Sequence, residues 1–303
     1  MFIRFDVFWK VAQMLNVLVL GANGMLGSAV KKILTDHKNF TLITTTRDGL
    51  GANYKFDVLR DKIDELISRT NPDYVINCIG VIKPRILESS PNSIEEAIRI
   101  NSLFPHELNR SCTKVGARVI QIATDCVFSG KIGNYVEQSP HDALDIYGKS
   151  KSLGEVSSDN FLNLRVSIIG PEVGRSTSLL EWFLNQPMGA SIHGYSNHFW
   201  NGISTFHYAK LVAGIMDNST FDFGTQHILV AEPISKFTLL NFFKESYGRI
   251  DIEIQEVTAK ETVNRTLSSS SLSFNSNIWV QAGYAEVPSL RRIVDEMRAF
   301  SDS

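Results

Sequence analysis

A chain of 303 residues with 43% hydrophobic and 20% charged residues has the balance of a globular protein able to bury a sizeable core, which excludes disordered and fibrous classes. A formal charge of -2 gives no general attraction to nucleic acid or anionic membrane, so any anionic ligand must be held by a local site. The three cysteines, Cys78, Cys112 and Cys126, are odd in number and lack metal-ligand spacing, so no metal is expected and a reducing, cytoplasmic setting fits.

The opening "MFIRFDVFWKVAQM" is apolar but broken by Arg4, Asp6 and Lys10, and reads as an N-terminal extension over residues 1–13 rather than a secretory signal. No apolar run approaches the roughly 20 residues that span a bilayer. From Leu15 to Leu20, "LNVLVL" predicts a strand buried on both faces. A glycine turn follows, then "MLGSAVKKILTDH" with helical spacing, the β-branched strand "FTLITTT", the helix "LRDKIDELISRT" and the strand "DYVINCIG". "SIEEAIRINSLFPHELNRSCTKVG" predicts one long helix closed by Gly116, and "ARVIQIATDCVF" the next strand. This alternation predicts an α/β fold, a Rossmann doubly wound parallel sheet over residues 14–165. Beyond Arg165 the pattern loosens. "NLRVSIIG" predicts one more strand, and "STSLLEWFLNQ", "FHYAKLVAGIMD", "LLNFFKESYG" and "VPSLRRIVDEMRAF" predict helices. Residues 166–303 are therefore expected to form a smaller mixed α/β substrate-binding region, with some segments returning to the first domain. The serine-rich run "LSSSSLSFNS" is expected to be a flexible surface loop.

Gly21, Gly24 and Gly27 in "GANGMLGS" follow a buried strand and open a helix, the context in which such a triplet binds a dinucleotide. Asn23, Met25 and Leu26 share that turn, where main-chain N–H groups at a helix N-terminus would receive the pyrophosphate. Twenty positions on stands Arg47, a guanidinium suited to a 2′-phosphate, which favours NADP(H) with NAD(H) as the second choice; adjacent Asp48 pulls the other way. Asp57 and Val58 would border the adenine, with Asp57 equally suited to cap the next helix.

Tyr147 and Lys151, in "ALDIYGKSKSLGEV", lie one helical turn apart. An ammonium on the same helix face would favour the phenolate and so tune an acid whose free pKa is near 10. The pair alone decides little; the upstream glycine turn gives it meaning. Thr124 closes a strand at the edge where ligands bind in open α/β sheets and would add a hydroxyl donor. Asn101 precedes Pro105 by four residues, and proline has no N–H to offer the Asn101 carbonyl, so that carbonyl is expected either to hold a water in a proton relay to Lys151 or to mark a plain kink.

Together, "GANGMLG", the Thr124 strand end and Tyr147-x-x-x-Lys151 resemble the extended short-chain dehydrogenase/reductases, and "ATDCVFSGKIGNYVEQSPHDALDIYGKSKSLGE" resembles their dTDP-4-dehydrorhamnose reductase branch. The resemblance implies NADPH-dependent reduction of the C4 ketone of a nucleotide-linked 4-keto-6-deoxy sugar, in deoxysugar and surface polysaccharide biosynthesis. It makes Tyr147 the general acid, Lys151 its partner, Thr124 the carbonyl-polarising hydroxyl and Asn101 the relay residue. Cys78 and Gly80 would line the nicotinamide pocket. Asp125, Cys126, Tyr135, Glu137 and Trp200 would border the sugar. The expected partners are a nucleotide-sugar substrate and a second copy in a homodimer. Ile168, where the branch often carries an aromatic, leaves the nucleotide and the C2 substituent open. A 4,6-dehydratase would need an acidic pair after the threonine, and Asp125 is followed by Cys126. An epimerase would use the same Tyr and Lys, and the regulatory subunit of methionine adenosyltransferase resembles these reductases while acting as a binding partner. Arg175, Lys236 and Arg265 are candidates for phosphate or base contacts by charge alone.

Overall fold

The computed structural model describes residues 14–172 and 178–302; the extension over 1–13 and Arg175 lie outside the described residues. The first half runs β1 (Leu15–Leu20), α1 (Met25–Thr35), β2 (Phe40–Thr46), β3 (Tyr54–Lys55), α2 (Ile63–Thr70), β4 (Tyr74–Asn77), α3 (Pro91–Ala97), α4 (Phe104–Val115), β5 (Arg118–Ala123), α5 (Ile146–Leu153) and β6 (Phe161–Arg165). The second half runs β7 (Ile168–Ile169), α6 (Leu179–Leu184), β8 (Ser191–Tyr195), β9 (His198–Trp200), β10 (Ile203–Ser204), α7 (Thr205–Asp217), β11 (Gly224–His227), β12 (Ile234–Ser235), α8 (Lys236–Ser246), β13 (Glu253–Val257), β14 (Val263–Asn264), α9 (Leu272–Gln281) and α10 (Leu290–Asp302).

Seven parallel strands form the central sheet in the order β11-β6-β5-β4-β1-β2-β3, which makes this an α/β Rossmann-like fold. Alternation along β1 divides its side chains between two cores. Val17 and Val19 face one with Val30 and Leu34 of α1, whereas Leu18 and Leu20 face the other with Ile67 of α2 and Leu108 of α4. Each such fully buried side chain contributes about 1.5–3 kcal/mol, which is why the strand reads as a nearly continuous apolar run. β11 comes from the second half of the chain yet pairs with β6 in the central sheet. Small sheets, β7 with β10, β8 with β13, and β9 between β12 and β14, build the rest of the second half.

Three sequence expectations are revised in detail. "NLRVSIIG" is two strands, because the chain leaves β6 after Arg165 and Ile168–Ile169 pairs with Ile203–Ser204 instead. The single long helix is interrupted by a π-helical turn, Ile98–Leu103, between α3 and α4. Wider i to i+5 bonding accommodates the missing N–H of Pro105 without breaking the helix; Phe104 N–H donates to the Arg99 carbonyl across it. The serine-rich run is tied down: Ser268 N–H donates to the Tyr135 carbonyl (2.7 Å), Ser269 and Ser270 bond Glu137, and Leu272 onward is α9.

Candidate active site

A cleft of about 690 Å³ runs along the carboxyl ends of the strands, from the glycine turn to β9 and α8. At one end, Gly21 takes φ 78°, a left-handed conformation that side chains disfavour, and turns the chain out of β1. A Cβ on Gly27 would overlap the Gly21 carbonyl, so α1 can begin so close to the turn only with glycine there. The N-terminus of α1 has no side-chain cap and no acid in its first turn. Gly24, Met25 and Leu26, which begin the helix, line the cleft with Gly21 and Asn23, so this end presents the donors and dipole that suit a pyrophosphate.

Arg47 is exposed beside the same end, just past β2. Asp48 is engaged by its own turn, its Oδ1 accepting from Leu50 N–H (3.0 Å) and the Thr46 hydroxyl (3.1 Å). Asp57 also lines the cleft and accepts from Leu59 N–H (3.0 Å); it caps no helix, because α2 starts after Lys62. Val58, Cys78 and Gly80 line the cleft next to it.

At the other end, Thr124 follows β5; its hydroxyl accepts from Cys126 N–H (3.1 Å) and donates to Asp125 Oδ1 (3.3 Å). Tyr147 and Lys151 lie on one face of α5, and both line the cleft with Thr124. Asp145 caps that helix by accepting from Gly148 N–H (2.9 Å). A Cβ on Gly148 would overlap the Cys126 carbonyl, so this glycine lets α5 approach the Thr124 turn.

The electrostatics differ from the sequence expectation. Burial pushes the Tyr147 hydroxyl above the ordinary phenol value, with a hydrogen bond to Thr124 opposing it. Lys151 is 8% exposed, and its ammonium donates to the Ile122 carbonyl (2.9 Å); burial brings it down to about 8. Desolvation therefore outweighs the expected pull of the lysine toward phenolate. The consequence is a tyrosine that keeps its proton at neutral pH.

Asn101 is buried in the π-helical turn. Its side chain accepts from Val81 N–H (2.9 Å) and donates to the Val81 carbonyl (2.9 Å) and the Ser150 hydroxyl (3.1 Å). It thus joins the loop after β4 to α5. Its carbonyl faces Gly154, where a Cβ would overlap it. A π-turn, rather than a plain kink, thus packs on the end of α5.

Tyr135 and Glu137 are not among the cleft-lining residues. The Tyr135 ring stacks on Phe128 (4.2 Å between centroids), and Glu137 accepts from Ser269 and Ser270 and from His227 N–H (3.3 Å). Both tie the loop after β5 to the second half of the chain, because the Y-x-E stretch faces the serine run. Behind them, Arg165, 1% exposed, donates to both oxygens of Glu155 and to the Nε2 atoms of His227 (2.7 Å) and His141 (2.9 Å).

Trp200, 4% exposed, lines the cleft and donates from Nε1 to the Ser167 hydroxyl (2.8 Å). Asp125, Cys126 and Lys236 line the same end, while Arg265 donates to the Phe128 carbonyl (2.8 Å) just outside it. Sequence reasoning missed Ser150, Ser167, Gly148 and Gly154. Ser150 and Gly148 fall within α5 and Gly154 follows it, so the helical period was a usable signal for Ser150; the close approaches at the two glycines and the Ser167 bond depend on contacts between distant segments.

Residues 15–171 match the family model described as RmlD substrate binding domain. The chain belongs to this family. Among curated relatives, it is 32% identical over 147 residues to methionine adenosyltransferase 2 subunit beta of Xenopus tropicalis, covering 46% of this chain and 41% of that protein. Likewise it is 30% identical to dTDP-4-dehydrorhamnose reductase of Mycobacterium tuberculosis, over 46% of this chain and 44% of that enzyme. The match therefore spans less than half the length of these relatives. A solved dTDP-4-dehydrorhamnose reductase of Bacillus anthracis, in complex with NADP, shares the fold with a TM-score of 0.74 at 18% identity, covering 95% of this chain and 99% of that one. These matches place the chain in the rhamnose-reductase-like branch of the extended short-chain dehydrogenase/reductases.

Proposed function

We propose that the protein is an NADP(H)-dependent oxidoreductase that reduces the C4 ketone of a nucleotide-linked 4-keto-6-deoxy sugar. The observation that carries this reading is one continuous cleft with an uncapped helix N-terminus at one end and Thr124, Tyr147 and Lys151 at the other. The cofactor would be held by the glycine turn, Arg47, Val58 and Gly80, and would supply hydride to C4. Thr124 polarises the ketone oxygen by donating to it, and Tyr147 delivers the proton that the new alkoxide needs. The upward shift of Tyr147 suits a donor, which must enter the reaction protonated. Lys151, held on the Ile122 carbonyl, keeps a positive charge beside the reacting oxygen. Because Asp48 is engaged by its own turn and Arg47 makes no side-chain hydrogen bond or ion pair among the described residues, the guanidinium is available to a 2′-phosphate, which supports NADPH over NADH.

The test is the loss of NADPH absorbance on mixing with dTDP- and UDP-linked 4-keto-6-deoxy sugars. Tyr147→Phe is expected to lower kcat by about 10²–10⁴-fold while leaving NADPH affinity near the native value. Turnover that survives in the Phe variant would remove Tyr147 from the chemistry. The similarity to the methionine adenosyltransferase beta subunit favours a second reading, a nucleotide-binding partner protein. NADPH binding without turnover of any of these sugars, with co-purification of an adenosyltransferase, would select it.

A further inference from the structure

Lys236 has no part in the chemistry above, yet its position is built with care. β12 pairs antiparallel with β9 so that Ile234 lies opposite Trp200, and Lys236 is the next helical residue after Ser235, the cap of α8. Its ammonium sits 5.0 Å from the centre of the Trp200 ring and lines the cleft. Among the described residues no hydrogen bond or ion pair within 4 Å is made by that ammonium. Asp125, 7% exposed, is the carboxylate whose field reaches it, and it forms no ion pair within 4 Å with any described cation. Arg265 acts on both from behind. A half-buried ammonium and a buried carboxylate thus line the cleft side by side without an ion pair between them; Asp125 accepts from the Thr124 hydroxyl (3.3 Å), which leaves its other oxygen and the ammonium's donors for a ligand.

The spacing says what they are for. Asp125 Oδ1 accepts from the Thr124 hydroxyl (3.3 Å), so the two side chains sit as close together as oxygens on neighbouring carbons of a sugar ring. With Thr124 on the ketone oxygen, the next oxygen belongs to the neighbouring hydroxyl. A hydroxyl both donates and accepts, and so matches a carboxylate and an ammonium side by side.

We propose that Asp125 and Lys236 together bind the hydroxyl on the ring carbon next to the reacting ketone, C3 of the sugar, and select substrates that carry it. The assignment rests on the sugar-reductase reading. Trp200 supports it by holding the Lys236 ammonium over its ring and offering an apolar wall to the sugar.

Calorimetry with dTDP- and UDP-glucose and their 3-deoxy counterparts tests the contact without turnover, with NADP⁺ affinity measured alongside as a check on folding. The native protein is expected to prefer the 3-hydroxy sugar by about tenfold or more, and Lys236→Met or Asp125→Asn to erase that preference while changing 3-deoxy binding by only about twofold. An unchanged preference in Lys236→Met, an equal loss for both sugars, or no preference in the native protein would each overturn the proposal. If the preference is present and lost as expected but no 4-keto-6-deoxy sugar is reduced, the contact stands and the reductase reading falls.

Discussion

The two ends of the cleft are built by opposite means. The proposed nucleotide end is lined by main chain within seven residues, Gly21 to Gly27, plus an exposed Arg47. The sugar end uses side chains from β5, α5, β9 and α8, brought together across more than a hundred residues and largely buried. The first depends on backbone angles and close approach. The second depends on desolvated charges held by neighbours. Changes that break one end should therefore leave the other measurable.

The largest effect is expected from Gly27→Ala. The added Cβ would overlap the Gly21 carbonyl and the backbone of Ala22, which cannot yield without moving the turn. Such overpacking costs about 1–3 kcal/mol of stability. If the displaced turn is the proposed pyrophosphate seat, cofactor affinity should fall by about 100-fold or more, whereas calorimetric binding of the sugar nucleotide should change far less. Fluorescence titration with NADPH reads the first quantity. Native-like NADPH binding in the variant would show that this close approach does not shape the cofactor end.

The same contrast explains what could be read in advance. The sheet, the glycine turn, Thr124 and the Tyr147–Lys151 pair were legible, because each is a local pattern: an apolar run, a triplet spacing, one helical turn. That Tyr135 and Glu137 pack away from the cleft lining could not be read, because their partners, Phe128, Ser269 and Ser270, approach only in the folded chain. Asn101 shows both sides. Pro105 correctly pointed to irregular bonding, but that the irregularity is a π-turn packed on Gly154 needs the other helix in view. The direction of the Tyr147 shift was missed for a related reason. Helical spacing predicts the neighbouring charge, whereas burial depends on everything else around the ring.

Acidification should loosen the side-chain-built half selectively. His227 accepts from Arg165 at Nε2 and donates from Nδ1 to the Ser268 carbonyl (2.6 Å), so it is neutral in place. Burial, then the Arg165 charge, bring it down to about 4, while Glu137 and Glu155 oppose that shift. A folded-state value below the ordinary 6.5 means that the unfolded chain takes up the proton first. The stabilisation is thus complete above pH 6.5 and is lost as pH falls toward 4, at most about 3 kcal/mol. Glu137, held at about 2 although burial alone would raise it, by bonds from Ser269 and Ser270, adds a second loss between about pH 4.5 and 2. Hydrogen exchange should show Ser268 to Ser270 losing protection near pH 5, with β1 and β2 amides unchanged. Uniform loss across the sheet would mean that the Arg165 network does not act locally.

The smallest effect, and the one that separates the two ends most cleanly, is expected at Arg47. Its guanidinium is exposed, so its attraction for a 2′-phosphate works through water and is screened, with a Debye length near 8 Å at about 0.15 M salt. Arg47→Ser should therefore weaken NADPH binding by about 5- to 20-fold, leave NADH binding nearly unchanged, and lose much of its effect at about 1 M salt. Lys236 is desolvated against Trp200 and Asp125, so the sugar preference it confers should persist at the same salt concentration. Titrating both cofactors and both sugars at low and high salt puts the two ends on one scale. An Arg47→Ser effect that is insensitive to salt would mean that the cofactor buries this residue on binding, making the nucleotide end resemble the sugar end after all.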